Sequence, residues 1–286
     1  MAGLLRRRLP LKVLAAVLAA GAGLALWGFV FEPDRVTIRR AEVALPSGLP
    51  AALDGLRVAL VADVHAGAPH VKEEKLARLV EAVNAERPDL ILLLGDYVIQ
   101  GVRGGKFMEP EQVAAGLRGL SAPLGVFAVL GNHDWWFDGV RVARALEGAG
   151  VRVLENEAAR IEHGGAGLWL VGIADLWTRK PDLAAALSRV SDESPIILFT
   201  HNPDLFPQVP PRVALTVAGH THGGQVNLPL VGRPVVPSKY GQRYADGHIV
   251  EGGRHLFVTS GVGTSIIPVR LRVPPEIAVL TLRVGE

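Results

Sequence analysis

Apolar residues fall along the chain in two rhythms. Apolar runs at residues 58–62, 90–94, 126–130, 168–174, 196–200 and 213–218 each read as a buried strand. Between them the period lengthens. Residues 71–86 set Leu76, Leu79, Val80 and Val83 on one side and charges on the other, the spacing of an amphipathic helix. Pro88 closes that helix before the next strand. Helices are also predicted over 110–120, over 139–148 with Val140, Ala143 and Leu146 inward, and over 183–190. Residues 36–43 predict an edge strand, and 256–284 short strands parted by Pro274-Pro275. Residues 100–109, with three Gly and the basic Arg103 and Lys106, predict a mobile loop near any site. Strand, helix, strand is a βαβ unit, whose crossover is right-handed. Pattern alone therefore gives a mixed α/β class, without internal repeats.

A different signal precedes this. Residues 13–31 carry no charge, and at 1.5 Å per residue these nineteen positions reach across a hydrocarbon core. Arg6, Arg7, Arg8 and Lys12 lie before the run, Glu32 and Asp34 after it. The positive-inside rule leaves such an N-terminus in the cytoplasm and exports the remainder. Trp27 and Phe29 to Phe31 suit the outer interface. The length favours an uncleaved anchor. Ala20-Gly21-Ala22 also offers a small-residue cleavage site, and Arg7-Arg8-Leu9-Pro10-Leu11-Lys12 resembles a twin-arginine export signal, with Pro10 where an aromatic is usual. A buried core helix fits the basic flank less well.

The strands share a feature at their ends. The first closes on Asp63-Val64-His65, the second on Gly95-Asp96 and the third on Gly131-Asn132-His133-Asp134. Residues 168–174 close on Asp175, 196–200 on His201, and 213–218 on Gly219-His220-Thr221-His222-Gly223-Gly224-Gln225. Open α/β sheets bind ligands outside the carboxyl ends of their strands; chance would scatter these residues over both ends. In extended chain, residues i and i+2 point the same way, so His220 and His222 are expected to face one point. The glycines after them let backbone turn beside an ion.

In this order the motifs D-x-H, G-D, G-N-H-D, H and G-H-x-H resemble those of the calcineurin-like metallophosphoesterases, over residues 52–284. Gly224-Gln225-Val226, Tyr240-Gly241-Gln242-Arg243-Tyr244 and the apolar N-terminus look like the membrane-anchored or exported bacterial branch, related to UDP-2,3-diacylglucosamine pyrophosphatase-like proteins. The resemblance implies a four-layer α-β-β-α sandwich of two mixed sheets. The expected organisation is a basic cytoplasmic segment 1–12, an anchor or signal segment 13–31, a linker and edge strand 32–51, and a metallophosphoesterase domain 52–286. It further implies two divalent metal ions, one held by Asp63, His65 and His222, the other by Asn132, His201 and His220, with Asp96 bridging. A metal-bridging hydroxide would attack phosphorus in line. His133 is the candidate general acid, and Asp134 a carboxylate orienting His133 or a ligand His. The sequence departs from the family at Ile99, where many members have a second Asp.

Composition narrows the chemistry. The chain has no Cys, so ligands are N and O atoms suited to Mn, Fe or Zn. Net charge is only +2, and Arg6 to Arg8 alone exceed it, so no basic field for nucleic acid exists and none is expected as a partner. A non-catalytic metal-binding scaffold of the same fold would be expected to lose ligands, and all seven are present. The substrate expected is a phosphoester, a phosphodiester that is lipid-linked or a nucleotide-linked lipid. The export topology favours a single-pass protein of the bacterial cell membrane with its domain outside. A UDP-sugar lipid would instead require a cytoplasmic domain. Trp135-Trp136-Phe137 reads first as core and second as an apolar wall for such a substrate. Tyr97 reads as packing, and His70, His163, His248 and His255 as ordinary surface histidines.

Overall fold

The structure, a computed structural model, describes residues 11–45 and 49–284. Helix α1 (Leu11–Leu26) continues through a π-helical turn (Trp27–Phe31) and a 3-10 turn (Glu32–Asp34) into strand β1 (Thr37–Leu45). There follow β2 (Arg57–Val61), α2 (Glu73–Ala85), β3 (Leu90–Leu93), α3 (Pro110–Leu117), β4 (Val126–Ala128), α4 (Asn132–Phe137), α5 (Gly139–Gly148) and β5 (Arg152–Val153). The second half holds β6 (Glu157–His163), β7 (Ala166–Ile173), α6 (Leu183–Leu187), β8 (Ile196–Thr200), β9 (Leu215–Ala218), β10 (Gly247–Glu251), β11 (Arg254–Val258) and β12 (Glu276–Val284).

Two six-stranded sheets form, ordered β1-β12-β2-β3-β4-β5 and β10-β11-β9-β8-β7-β6. In the first, β2 to β5 are parallel and β12 runs against β2, with Ala278 opposite Leu60. In the second, β7, β8, β9 and β11 are parallel, and β6 and β10 are antiparallel edges. The largely apolar runs are explained by burial on both faces. Ala59, Val61, Ile91 and Leu93 pack under helices with Leu76, Leu79 and Val83 of α2. Val58, Leu60, Leu90 and Leu92 face Leu170, Ile197, Phe199 and Leu215 of the other sheet. Ile196 and Leu198 turn outward beneath α6 and the turn at Pro203–Gln208. The result is the four-layer sandwich, with β1 at the edge as expected.

Four local expectations change. Val140, expected inward on α5, is exposed, and Val142 is buried with Leu146 instead. Helix α6 is a short helix ending at Leu187 rather than residue 190. Strands β6 and β10 escaped the pattern because edge strands face water on one side; Glu157, Arg160 and Glu162 interrupt β6. The 100–109 loop is tied down: Lys106 N–H donates to Gly67 O (2.8 Å) and Arg103 N–H to Ile266 O (2.9 Å). No residue of α1 is buried, so the core-helix reading fails. Residues Leu11–Asp34 form a helix of 24 residues, long and apolar enough to cross a membrane. The arginines of the basic flank, and with them the twin-arginine signal, lie outside the described residues.

Candidate metal centre

All seven candidate ligands and His133 converge at the carboxyl ends of β2, β3, β4, β8 and β9, and all are buried. Strand backbone running straight on would carry these side chains past one another. Instead Asp63, His65, Asp96, His220 and His222 adopt φ of 52°, 45°, 58°, 70° and 51°. Non-glycine residues adopt this left-handed conformation at a cost, and such outliers gather at functional sites. Gly95 and Gly131 allow two of these loops to touch: a Cβ on either would strike the other loop's backbone or Asp96. The i, i+2 expectation for His220 and His222 is overturned by this geometry. The chain is not extended there, and the two rings go to different partners.

His222 Nε2 lies 3.2 Å from His65 Nε2 and 3.6 Å from Asp63 Oδ1. His220 Nδ1 lies 3.0 Å from His201 Nε2, which is 3.1 Å from Asn132 Oδ1. Asp96 Oδ2 sits between the two groups, 3.3 Å from His201 Nε2, 3.5 Å from His65 Nε2 and 4.0 Å from His133 Nε2. Asp63-His65-His222 and Asp96-His201-His220 each place their ligand atoms within 4.8 Å of one another. Two imidazole nitrogens facing at such distances can share one proton at most. Nδ1 of His65 and of His222 is buried without a partner. A cation held by each pair would take both facing lone pairs at once, and the all-N,O set would suit a borderline divalent metal.

Electrostatics divide the rings. Burial pushes His65 down to about 3, and His220 and His222 well below the ordinary histidine value. Burial acts the same way on His201, but the Asp96 carboxylate outweighs it and lifts that ring to about 10. Burial raises Asp63 to about 7. His201 Nδ1 lies 2.7 Å from Leu94 O; with Nδ1–H donating there, the neutral ring would carry its lone pair on Nε2.

Asp134 does not orient His133 or a ligand His. Its Oδ2 accepts from the N–H groups of Asp96 (2.8 Å) and Gly131 (2.9 Å), and its Oδ1 from Tyr97 (2.8 Å) and Val98 (3.3 Å). It holds the backbone of the loop that carries Asp96. Tyr97 is packing: its hydroxyl donates to Val129 O at 2.9 Å. Ile99 is core. His133 instead is set by Gln100, whose N–H donates to Nδ1 at 3.1 Å.

Two residues were missed by pattern. Arg270, fully buried, donates to the carbonyls of Ser260, Gly261, Gly263 and Val273 at 2.6–3.1 Å. Three of those carbonyls, Ser260, Gly261 and Gly263, belong to the turn whose Gly263 N–H binds Asp63 O at 2.6 Å. A lone Arg in a loop gives no sequence signal of this. Trp177 stands edge-on over His220, ring centres 4.3 Å apart. Asp175 Oδ2 places it by accepting from Trp177 N (3.0 Å) and Thr178 N (2.9 Å). An Asp turn after a strand was the available signal.

A cavity of about 570 Å³ opens over the ligands. Asp96, Asn132, His133, His220 and His222 form its polar part, and Trp136, Trp177, Val235, Ile266, Ile267 and Val269 its walls. The aromatic cluster thus divides: Trp136 is exposed and lines the cavity 4.9 Å from the His133 ring, while Trp135 and Phe137 pack on the core. A cavity of about 650 Å³ beside Trp135 and Arg179 contains none of the ligand cluster.

N and O ligands around one carboxylate, at the strand ends of a two-sheet sandwich, define a class of protein, the metal-dependent hydrolases of phosphoesters. The chain belongs to the calcineurin-like phosphoesterase family, whose profile matches residues 56–224. It is 33% identical over 285 residues to the uncharacterized metallophosphoesterase YkuE of Bacillus subtilis, covering 97% of each chain. It is 31% identical over 288 residues to phosphodiesterase YaeI of Escherichia coli, covering 98% of this chain and 100% of that one. A transmembrane protein with metallophosphoesterase domain from Danio rerio is 30% identical over 295 residues, 95% of this chain and 62% of that one.

Proposed function

We propose that the chain is a membrane-tethered phosphodiesterase working with two divalent cations of the Mn, Fe or Zn type. Asp63, His65 and His222 would hold one, Asn132, His201 and His220 the other, and Asp96 both. The observation that carries this reading is Asp96 Oδ2, seated between His201 and His65 at 3.3 and 3.5 Å. When bound, the cations supply a lowered pKa for water and positive charge for the phosphate oxygens. The remaining work falls to the chain. His133 Nδ1 accepts a backbone N–H, so the proton of its neutral ring sits on Nε2, the atom that faces Asp96. That N–H is poised to protonate a leaving alkoxide. Trp136, Trp177 and the aliphatic wall exclude water and receive an apolar substituent, which favours a lipid-linked diester.

Helix α1 is read as a single-pass anchor in the cell membrane. The basic residues before it favour an extracytoplasmic domain. Mutation tests the chemistry. Asp96→Asn or His220→Ala should lower kcat/KM for a chromogenic phosphodiester by about 10³-fold or more, roughly 4 kcal/mol of transition-state stabilisation, with the thermal transition retained. Unchanged turnover in protein of verified metal content refutes the reading. Added protease should digest the domain on intact cells. Protection would point to a cytoplasmic substrate such as a UDP-linked lipid.

A further inference from the structure

Two loops at the cavity mouth present bare aliphatic side chains. The turn closed by Leu228 and Gly232 carries Leu230 and Val231, and the loop after β11 carries Ile266 and Ile267. Leu230 is fully exposed and Ile266 is 69% exposed. Both have positive φ, 66° and 61°, a conformation that is unfavourable for a β-branched Ile. None of the four side chains belongs to a hydrophobic core cluster of the described residues.

The loops are joined to each other. Asn227 N–H donates to Leu271 O and Leu271 N–H to Gln225 O, both at 2.9 Å. The second loop is joined in turn to the end of helix α1. Arg270 N–H donates to Gly28 O at 2.9 Å, and a Cβ at Gly28 would press on Arg270 O and Val269. That end is clamped from the other side as well. The Glu32 carboxylate accepts from Val273 N–H and from the Trp27 indole, each at 2.7 Å, and the Lys75 ammonium donates to Pro33 O at 2.7 Å. The aliphatic tips are therefore continuous with the place where an apolar helix leaves the domain. Exposed Arg103, whose N–H binds Ile266 O at 2.9 Å, and exposed Arg272 flank them.

We propose that Leu230, Val231, Ile266 and Ile267 form a second membrane contact, which enters the bilayer surface beside α1 and seats the mouth of the metal cavity on it. Substrate then reaches the site from the lipid phase without leaving it. This rests on the readings of α1 as an anchor and of the site as a phosphodiesterase. A bilayer is the occupant because the patch adjoins the helix that would be embedded in one, and the flanking arginines suit anionic headgroups.

The chain has no Cys, so single labels are clean. Full-length protein is reconstituted in phosphatidylglycerol–phosphatidylethanolamine vesicles with an environment-sensitive NBD label at Leu230→Cys. Glu162→Cys, beside the β6–β7 turn at the strand ends opposite the site, is the control. NBD at 230 should shift to the blue and be quenched by doxyl lipids, and at 162 should do neither. A water-like spectrum at 230, or quenching that follows protein concentration rather than doxyl lipid, overturns the proposal; the latter outcome means a second copy covers the patch. In parallel, the Leu230→Asp, Val231→Asp double variant should cleave a bilayer-embedded, headgroup-labelled phosphatidyl diester about tenfold more slowly. It should cleave bis(p-nitrophenyl) phosphate at the wild-type rate. Equal loss on both substrates, or no loss on either, counts against the proposal. Wild-type protein inert toward the soluble diester refutes the hydrolase reading, and extraction by alkaline carbonate refutes the anchor. The label at 230 decides the membrane contact in each case.

Discussion

His133 and Asp134 are neighbours with different work. His133 Nε2 faces the cluster while its Nδ1 is held by Gln100. His133→Gln should therefore keep metal content and lower kcat by about 10²–10⁴-fold on an alkyl diester. The loss should shrink with a p-nitrophenolate leaving group, which needs no proton; equal losses would remove the acid role. Asp134 binds four backbone N–H groups and no imidazole. Asp134→Asn should destabilise the fold by about 2–4 kcal/mol, read from denaturant melts, because an amide cannot accept at both ends. The donor residues were legible because Asp, Asn and His at strand ends stand out against apolar runs. Asp134's partners were not, since a bond to backbone leaves no mark on the residues it serves. Trp177 was equally hidden, its place over His220 depending on the turn at Asp175.

Elements were legible where both faces of a strand are buried and obscure where one is wet. β2, β3, β8 and β9 follow from their runs; β6 and β10 needed partners to be seen. Helix α4 went unread because six residues of motif carry no periodicity. Its approach is held by Glu155, whose Oε1 accepts the N–H of Leu130 after β4 at 3.0 Å. Burial pushes this carboxyl up from 4.5 to about 7. With the folded value above the unfolded one, its contribution to stability is complete below about pH 4.5 and is lost as pH rises through about 7. Glu155→Gln should match wild type near pH 4.5 and exceed it by about 1–3 kcal/mol at pH 8 in denaturant melts. A pH-independent difference would contradict this.

At the scale of the molecule, one helix, one buried arginine and one cavity are linked. The π-helical turn that continues α1 rests through Gly28 O on the Arg270 N–H, and the Arg270 side chain braces the turn that holds Asp63. Arg270→Ala would remove the donor from the buried carbonyls of Ser260, Gly263 and Val273, Gly261 O keeping the N–H of Glu276, and should cost about 3 kcal/mol or more of unfolding free energy. Length and apolarity made the helix legible; its docking on the domain was not, because it runs through main-chain groups. The central claim is that side chains from five strand ends cage two cations. Metal content per chain, measured on protein purified without chelator, tests it most directly. The account predicts close to two divalent transition-metal ions in wild type, about one in His65→Ala and in His201→Ala, and fewer still in Asp96→Asn. Wild-type protein that hydrolyses a phosphodiester while holding no such metal would contradict it.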